Sequence, residues 1–233
     1  IVGAGGNIAT IISTMLSRQV DQIHLIGRPN GDKQKLQAHA GLLIHEIIQD
    51  LSAGQNDPCS LVYHELKTIY KSVQKNLKKP IELWQAYDKR LGSHKTIRIS
   101  ENLFSLSSCD IVVVATSDVQ PFLKREHVKK GAFICDLSVP LNCSQDLLDD
   151  KDFQVTKGGV LFLPNNETLY PLGLGLSQGQ VFACMAETML MGFEKGQMPY
   201  SFGELNKHQV VDLGRRVLSQ GFRTRKDAIE LIN

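Results

Sequence analysis

The chain has 233 residues, of which 42% are hydrophobic and 21% are charged, and its formal net charge is +2 at pH 7. This composition is typical of a globular protein, and the length suits one domain, or one domain with an elaboration. The small net charge argues against nucleic-acid binding, because phosphate backbones are held by strongly basic surfaces.

Several other classes are disfavoured by the same sequence. No signal peptide is recognisable, and no run of about 18 uncharged apolar residues could cross a bilayer. The five cysteines have neither a zinc-site spacing nor an even number for a closed disulfide framework. We therefore expect no metal site, no membrane span, reduced thiols and a cytoplasmic location.

The first nine residues combine the end of a strand with a glycine-rich turn. Ile1 and Val2 are apolar, and a helix should follow the turn and continue to Leu16. Glycines allow a tight turn and close approach of a phosphate, and the N-terminus of the helix supplies N–H donors. The predicted dinucleotide contacts are Gly3, Gly5, Gly6, Asn7 and Ile8. The alternative is a glycine turn that binds no ligand. Because the chain starts inside a strand, we also expect an N-terminal region upstream.

The second predicted strand, residues 22–26, leads into Gly27-Arg28-Pro29-Asn30. No carboxylate is present there to bind a ribose 2′-hydroxyl, whereas the planar cation of Arg28 suits a 2′-phosphate. The sequence therefore favours NADPH over NADH. The alternative is that Arg28 is only a solvent-exposed loop charge.

Apolar runs later in the chain predict further strands at residues 96–99, 110–116, 131–136 and 159–163. Continuous apolar strands separated by helical segments indicate a parallel sheet covered on both faces. The predicted fold class is α/β, a Rossmann-like, doubly wound, mainly parallel sheet with a helical insertion and C-terminal helices. Residues at the carboxyl ends of strands in such sheets contact ligands, or serve structure alone. The candidates are Ala115, Thr116, Ser117 and Asp136.

We expect an NADP-binding domain at residues 1–176, with a helical insertion at about 34–93, followed by C-terminal helices at 177–233. Within the insertion, an apolar stripe from Leu36 to Leu51 predicts one helix. Two more are predicted at residues 61–77 and, after Pro80, at 81–91. A cap over an active site, a partner surface and a thickened fold are all compatible with this pattern.

Cys184 is the candidate nucleophile. Ser177-Gln178-Gly179-Gln180 has the form of a capping box, which predicts a helix beginning at Ser177. Both faces of that helix would be mainly apolar, so we expect it to be buried. Cys184 would then be either a small core residue or a nucleophile within the helix. His208 and Lys157 are conceivable activating groups, although nothing in the sequence brings them near the thiol.

The run from Phe182 to Lys195 resembles the cyanobacterial aldehyde-forming long-chain acyl-[acyl-carrier-protein] reductases. The NADPH-binding part of that family is resembled by the glycine-rich turn, Arg28 and the strand at 110–113. Its C-terminal part is resembled by Ser201-Phe202-Gly203 and Gly221-Phe222. The resemblance covers most of the chain outside the insertion.

This resemblance implies that Cys184 takes an acyl group from a thioester, on an acidic acyl carrier protein or on coenzyme A, and that NADPH reduces it to an aldehyde. Two features depart from the family pattern: the long insertion, and Asp136-Leu137-Ser138-Val139-Pro140 in place of a glycine-rich turn. Two other functions fit the residues. One is an NADP-dependent dehydrogenase of a small keto or hydroxy acid, and the other is a non-catalytic nucleotide-binding docking module with an inert Cys184.

Overall fold

The computed structural model describes residues 1–54, 59–73, 79–167, 174–196 and 205–224. The chain divides into two compact units, Ile1–Thr156 and Lys157–Asn233. The division comes earlier than the boundary after residue 176 that the sequence suggested. Of the described residues, 157–167 and 174–176 therefore group with Cys184 and not with the glycine-rich turn.

The first unit alternates strands and helices, and its α/β class is as predicted. Its helices are α1 (Asn7–Leu16), α2 (Lys33–Ser52), α3 (Leu61–Val73), α4 (Pro80–Leu91) and the short α5 (Gln145–Leu148). Its strands are β1 (Ile23–Ile26), β2 (Ile97–Ser100), β3 (Ile111–Val114), β4 (Phe133–Asp136) and β5 (Gln154–Lys157). The β5 strand was not predicted, because its polar and apolar residues give no continuous apolar run.

A parallel sheet is centred on the first residues of the chain. Strand β1 pairs in parallel with β2, and β3 pairs in parallel with β4. Val2 bridges both halves, since it pairs in parallel with Ile26 on one side and with Val114 on the other. Its amide donates to the Val113 carbonyl over 2.8 Å. The order across the sheet is thus β2, β1, the segment at Val2, β3, β4 and β5.

The three helices predicted for residues 34–93 are present, and they build the larger hydrophobic core of the first unit. The apolar stripe of α2 packs with Trp84 and Tyr87 of α4. Gly41 permits this contact, because a Cβ there would lie 1.9 Å from the Pro80 carbonyl oxygen. Strand β2 is tied to the same helices, since the Ile97 amide donates to the Tyr87 hydroxyl. Residues 74–78, which include the expected end of the second helix, lie outside the described residues.

The second unit contains β6 (Val160–Phe162), β7 (Gln180–Phe182), α6 (Ala183–Phe193) and α7 (Lys207–Ser219). Its core consists of Val181, Ala186, Leu190, Val217 and Phe222. The prediction that residues 159–163 join the parallel sheet is wrong, because β6 pairs antiparallel with β7. A short apolar run reveals a strand but not its partner, and β7 has only three residues. No helix within the described ranges is long and apolar enough to span a membrane.

Candidate functional site

A cleft of about 660 Å³ opens in the first unit, at the carboxyl edge of the parallel sheet. All of the predicted cofactor contacts except Asp136 line it: Gly3, Gly5, Gly6, Asn7, Ile8, Arg28, Ala115, Thr116 and Ser117. The fold therefore brings together three loops, one after each of three neighbouring strand positions. This edge is where open α/β sheets bind ligands.

The glycine-rich turn forms the floor of the cleft. Gly3 has a φ of +83°, and a Cβ there would lie 2.3 Å from the Ala115 carbonyl oxygen. Only glycine allows the turn to pass so close to the end of β3. At Gly5, a Cβ would meet only the Lys35 side chain, at 3.8 Å. The helix begins after Gly6 with no side-chain cap and no acidic residue in its first turn. This open cradle at a helix N-terminus fits a pyrophosphate.

The first helix of the insertion supports that turn from behind. The Nδ1 atom of His39 in α2 lies 2.6 Å from the Ala4 carbonyl oxygen and 2.9 Å from Thr10 Oγ1. Thr10 Oγ1 in turn donates to the Gly6 carbonyl over 3.2 Å. Burial lowers the pKa of His39, the hydrogen bond to the Ala4 carbonyl raises it, and the nearby charge of Lys35 lowers it. A carbonyl oxygen can only accept, so His39 donates from Nδ1 to Ala4. The insertion also forms part of the cleft wall, through Lys35 and Leu36.

Two cationic side chains line the cleft. Arg28 donates from Nη2 to Ser117 Oγ over 3.1 Å. Lys35 is the second cation, and it was not predicted. The Asp32 carboxylate caps α2 by accepting from the Gln34 and Lys35 amides at 2.9 and 3.1 Å. Recognising Asp32 as an N-cap would have started α2 at Lys33 and placed Lys35 in its first turn.

Asp136 does not line the cleft, although the sequence suggested a cofactor contact. It is fully buried. Its carboxylate accepts backbone hydrogen bonds from Ser138, Asn142 and Cys143 at 2.9, 2.7 and 2.9 Å. Asp136 therefore holds the loop after β4 in shape. Two acidic residues that were not predicted also line the cleft: Asp32, which caps α2, and Glu101, which follows the end of β2.

The surroundings of Cys184 differ from those predicted. The Ser177 amide does donate to Gln180 Oε1 over 2.9 Å, as in a capping box. However, residues Gln180–Phe182 form β7, and α6 begins only at Ala183. The prediction of a buried helix starting at Ser177 is wrong, because pairing with β6 holds this segment extended. Cys184 is exposed and lies in the first turn of α6.

The Cys184 thiol lies next to the N-terminus of α6, where the first backbone N–H groups have no acceptor within the helix. Lys157 lies near the start of α6, with its ammonium 5.4 Å from the centre of the Phe182 ring. It also donates to the Gly175 carbonyl over 3.1 Å. His208 is exposed in the first turn of α7. Residues 201–203 of the family-like pattern lie outside the described residues.

A scan against protein-family models and a search of curated proteins both found no match to this chain. Within the described part of the chain, no group of three or more His, Cys, Asp or Glu side chains is arranged to hold a metal ion.

Proposed function

We propose that this chain is an NADPH-dependent reductase that converts a fatty acyl thioester to an aldehyde through an acyl-enzyme on Cys184. The observation that carries the proposal is the cleft at the carboxyl edge of the sheet. It combines an uncapped helix N-terminus with the cations Arg28 and Lys35. An anionic dinucleotide with an additional phosphate matches both features.

The strand order supports a Rossmann-like fold. Counting the segment at Val2 as the first strand, the order is the third, second, first, fourth, fifth and sixth strands. This is the arrangement of doubly wound dinucleotide-binding domains, in which the cofactor lies where the strand order reverses. The reversal here falls at Val2, directly before the glycine-rich turn.

Different residues of the cleft would bind different parts of NADPH. The glycine-rich turn and the N-terminus of α1 would bind the pyrophosphate, and Arg28 and Lys35 would bind the 2′-phosphate. The loop at Ala115 and Thr116 would bound the cofactor on the β3 side. NADPH, when bound, supplies the hydride that converts the enzyme-bound acyl group, with one proton, to an aldehyde and a free thiol.

The role proposed for Cys184 is transthiolation. Its thiolate forms a bond to the acyl carbonyl carbon, the carbon–sulfur bond to the carrier breaks, and the carrier thiolate takes up a proton. A thiolate suits both roles in this exchange, because it is a strong nucleophile when Cys184 attacks and a good leaving group when the carrier departs. The exposure of Cys184 is compatible with a substrate presented on a large carrier. An acidic acyl carrier protein or coenzyme A, in the cytoplasm, is the proposed source of the acyl group.

A single absorbance assay tests the proposal. The protein is mixed with NADPH and either palmitoyl-coenzyme A or a small keto acid such as pyruvate, and nicotinamide absorbance is followed with time. We expect oxidation of NADPH with the thioester alone, together with formation of a fatty aldehyde. Cys59 is also exposed, so Cys59→Ser is a matched control for Cys184→Ser. Turnover of the keto acid only, or equal loss in both variants, would contradict the proposal.

A further inference from the structure

We propose that Asn142 is a positioning residue that sets the preference for NADPH, because it fixes the loop whose Ser117 holds Arg28. The proposal rests on the assignment of the cleft to NADPH. It concerns a residue that does not line the cleft and that the sequence did not single out.

Asn142 is fully buried, and its side chain connects the loops after β3 and β4. Its Oδ1 atom accepts a hydrogen bond from Thr116 Oγ1. Its Nδ2 group donates to the Asp118 carbonyl at 2.9 Å. The backbone N–H of Asn142 donates to the buried carboxylate of Asp136 over 2.7 Å. One amide side chain therefore satisfies polar groups on both sides of Ser117.

The loop held in this way packs directly on the glycine-rich turn. Thr116 Oγ1 accepts from the Asp118 amide at 3.1 Å, and the Thr116 amide donates to Ser138 Oγ at 3.3 Å. The Thr116 methyl group lies 2.8 Å from the position that a Cβ on Gly3 would take. A change at Asn142 can therefore reach the cleft through Thr116, without any contact of its own with a cofactor.

The loop acts on Arg28 through the hydrogen bond between Arg28 and Ser117. Both residues are exposed, and the 3.1 Å hydrogen bond between them restricts a guanidinium that would otherwise sample many rotamers. Holding a long side chain in its binding orientation lowers the entropic cost of binding. The benefit applies to NADPH and not to NADH, since only NADPH carries the 2′-phosphate.

The test compares dissociation constants for NADPH and NADH, measured by nicotinamide fluorescence, in the parent protein and in variants. Loss of one positioning hydrogen bond should weaken NADPH binding about fivefold in Asn142→Ala and in Ser117→Ala, with little change for NADH. Ser117→Thr retains the hydroxyl and should restore the preference. Asn206→Ala, an exposed helix cap in the second unit, is the control and should bind as the parent does.

A double-mutant cycle separates positioning from a general loss of structure. If Asn142 and Ser117 act through Arg28, neither alanine variant should weaken NADPH binding further in an Arg28→Ala background. Should Asn142→Ala fail to fold, Thr116→Val tests the same contact, because it nearly keeps the size of the side chain and removes the hydroxyl that donates to Asn142 Oδ1. It should weaken NADPH binding and change NADH binding little. Equal losses for both cofactors, or an unchanged preference, would overturn the positioning role alone. A parent protein that binds neither cofactor would overturn the proposed function together with it.

Discussion

The guanidinium of Arg28 donates a hydrogen bond of 3.1 Å to the hydroxyl of Ser117, joining the loop after β1 to the loop after β3. The two residues are 89 positions apart in the sequence. Both line the cleft at the carboxyl edge of the sheet. The contact holds the Arg28 cation beside the glycine-rich turn. A 2′-phosphate bound there would be attracted by this positive charge.

Replacing Arg28 with alanine should lower the affinity for NADPH by roughly tenfold or more, because a charge-assisted contact to phosphate is lost. The affinity for NADH should change little. Fluorescence titration with each cofactor measures both. Arg90→Ala, which removes an exposed charge at the end of α4, is the control. Equal losses for NADPH and NADH in the Arg28 variant would show that Arg28 does not bind the 2′-phosphate.

Lys35 should contribute less than Arg28, since an ammonium is a point charge and does not form a bidentate pair with phosphate. We expect Lys35→Ala to weaken NADPH binding by about threefold to tenfold, with a weaker dependence on salt concentration. Lys33→Ala is a matched control on the same helix, because Lys33 is exposed and does not line the cleft. A similar loss in both variants would assign the effect to overall charge and not to Lys35.

The two glycines of the turn should respond differently to alanine. Gly3→Ala places a Cβ 2.3 Å from backbone at the end of β3, at a φ of +83°. We expect a loss of folding stability on the order of 3 kcal/mol or more, measured by urea unfolding. Gly5→Ala meets only the flexible Lys35 side chain, so the protein should fold normally and bind NADPH less well. Normal stability in the Gly3 variant would contradict the described packing.

The sheet could be predicted from the sequence where strands are continuous and apolar. The runs at Ile23–Ile26 and Ile111–Val114 are of this kind, and both form parallel strands as expected. The antiparallel partner of residues 160–162 could not be predicted, because β7 is a three-residue segment overlapping a capping-box pattern. Local capping chemistry was present there, but long-range strand pairing determined the structure.

The candidate site was predictable to the extent that it follows from strand ends. The glycine-rich turn, Arg28 and Thr116 meet in one cleft because parallel strands bring their carboxyl ends to one edge. The contribution of Lys35 to the cleft was not predicted, because Lys35 lies in the helical insertion, for which the sequence indicated no single role. Asp136 ends a strand as expected, but its carboxylate points into the protein and binds backbone amides.

Stability should fall in alkaline solution through Tyr63 in α3. Burial, together with the hydrogen bond that its hydroxyl donates to Asp50, raises the pKa of Tyr63 from 10 to about 12. Tyrosine is released to ionise on unfolding, so this stabilisation is complete below pH 10 and is lost as the pH rises from 10 to about 12. Urea unfolding over this range should show a loss of up to about 1.4 kcal/mol per pH unit from Tyr63.

Tyr63→Phe isolates that contribution from the other groups that titrate in alkaline solution. The variant should be less stable than the parent at neutral pH by about 1 kcal/mol, since the Asp50 carboxylate loses a donor. The difference between the two proteins should shrink as the pH rises above 10 and change sign before about 12, because the stabilisation lost through Tyr63 over this range is larger than 1 kcal/mol. A constant difference across this range would show that Tyr63 titrates alike in the folded and unfolded states.

The most direct test of the central claim is to trap the acyl-enzyme. The protein is incubated with palmitoyl-coenzyme A without NADPH. Its intact mass is then measured, and peptide mapping locates the modified residue. We predict a gain of one palmitoyl group on Cys184, with Cys59 as the exposed comparison. Burial raises the pKa of the Cys143 thiol, so this cysteine should not react. Adding NADPH should release the acyl group as an aldehyde. Acylation spread equally over Cys59 and Cys184, or a Cys184→Ser variant that still forms aldehyde at the parent rate, would contradict the account.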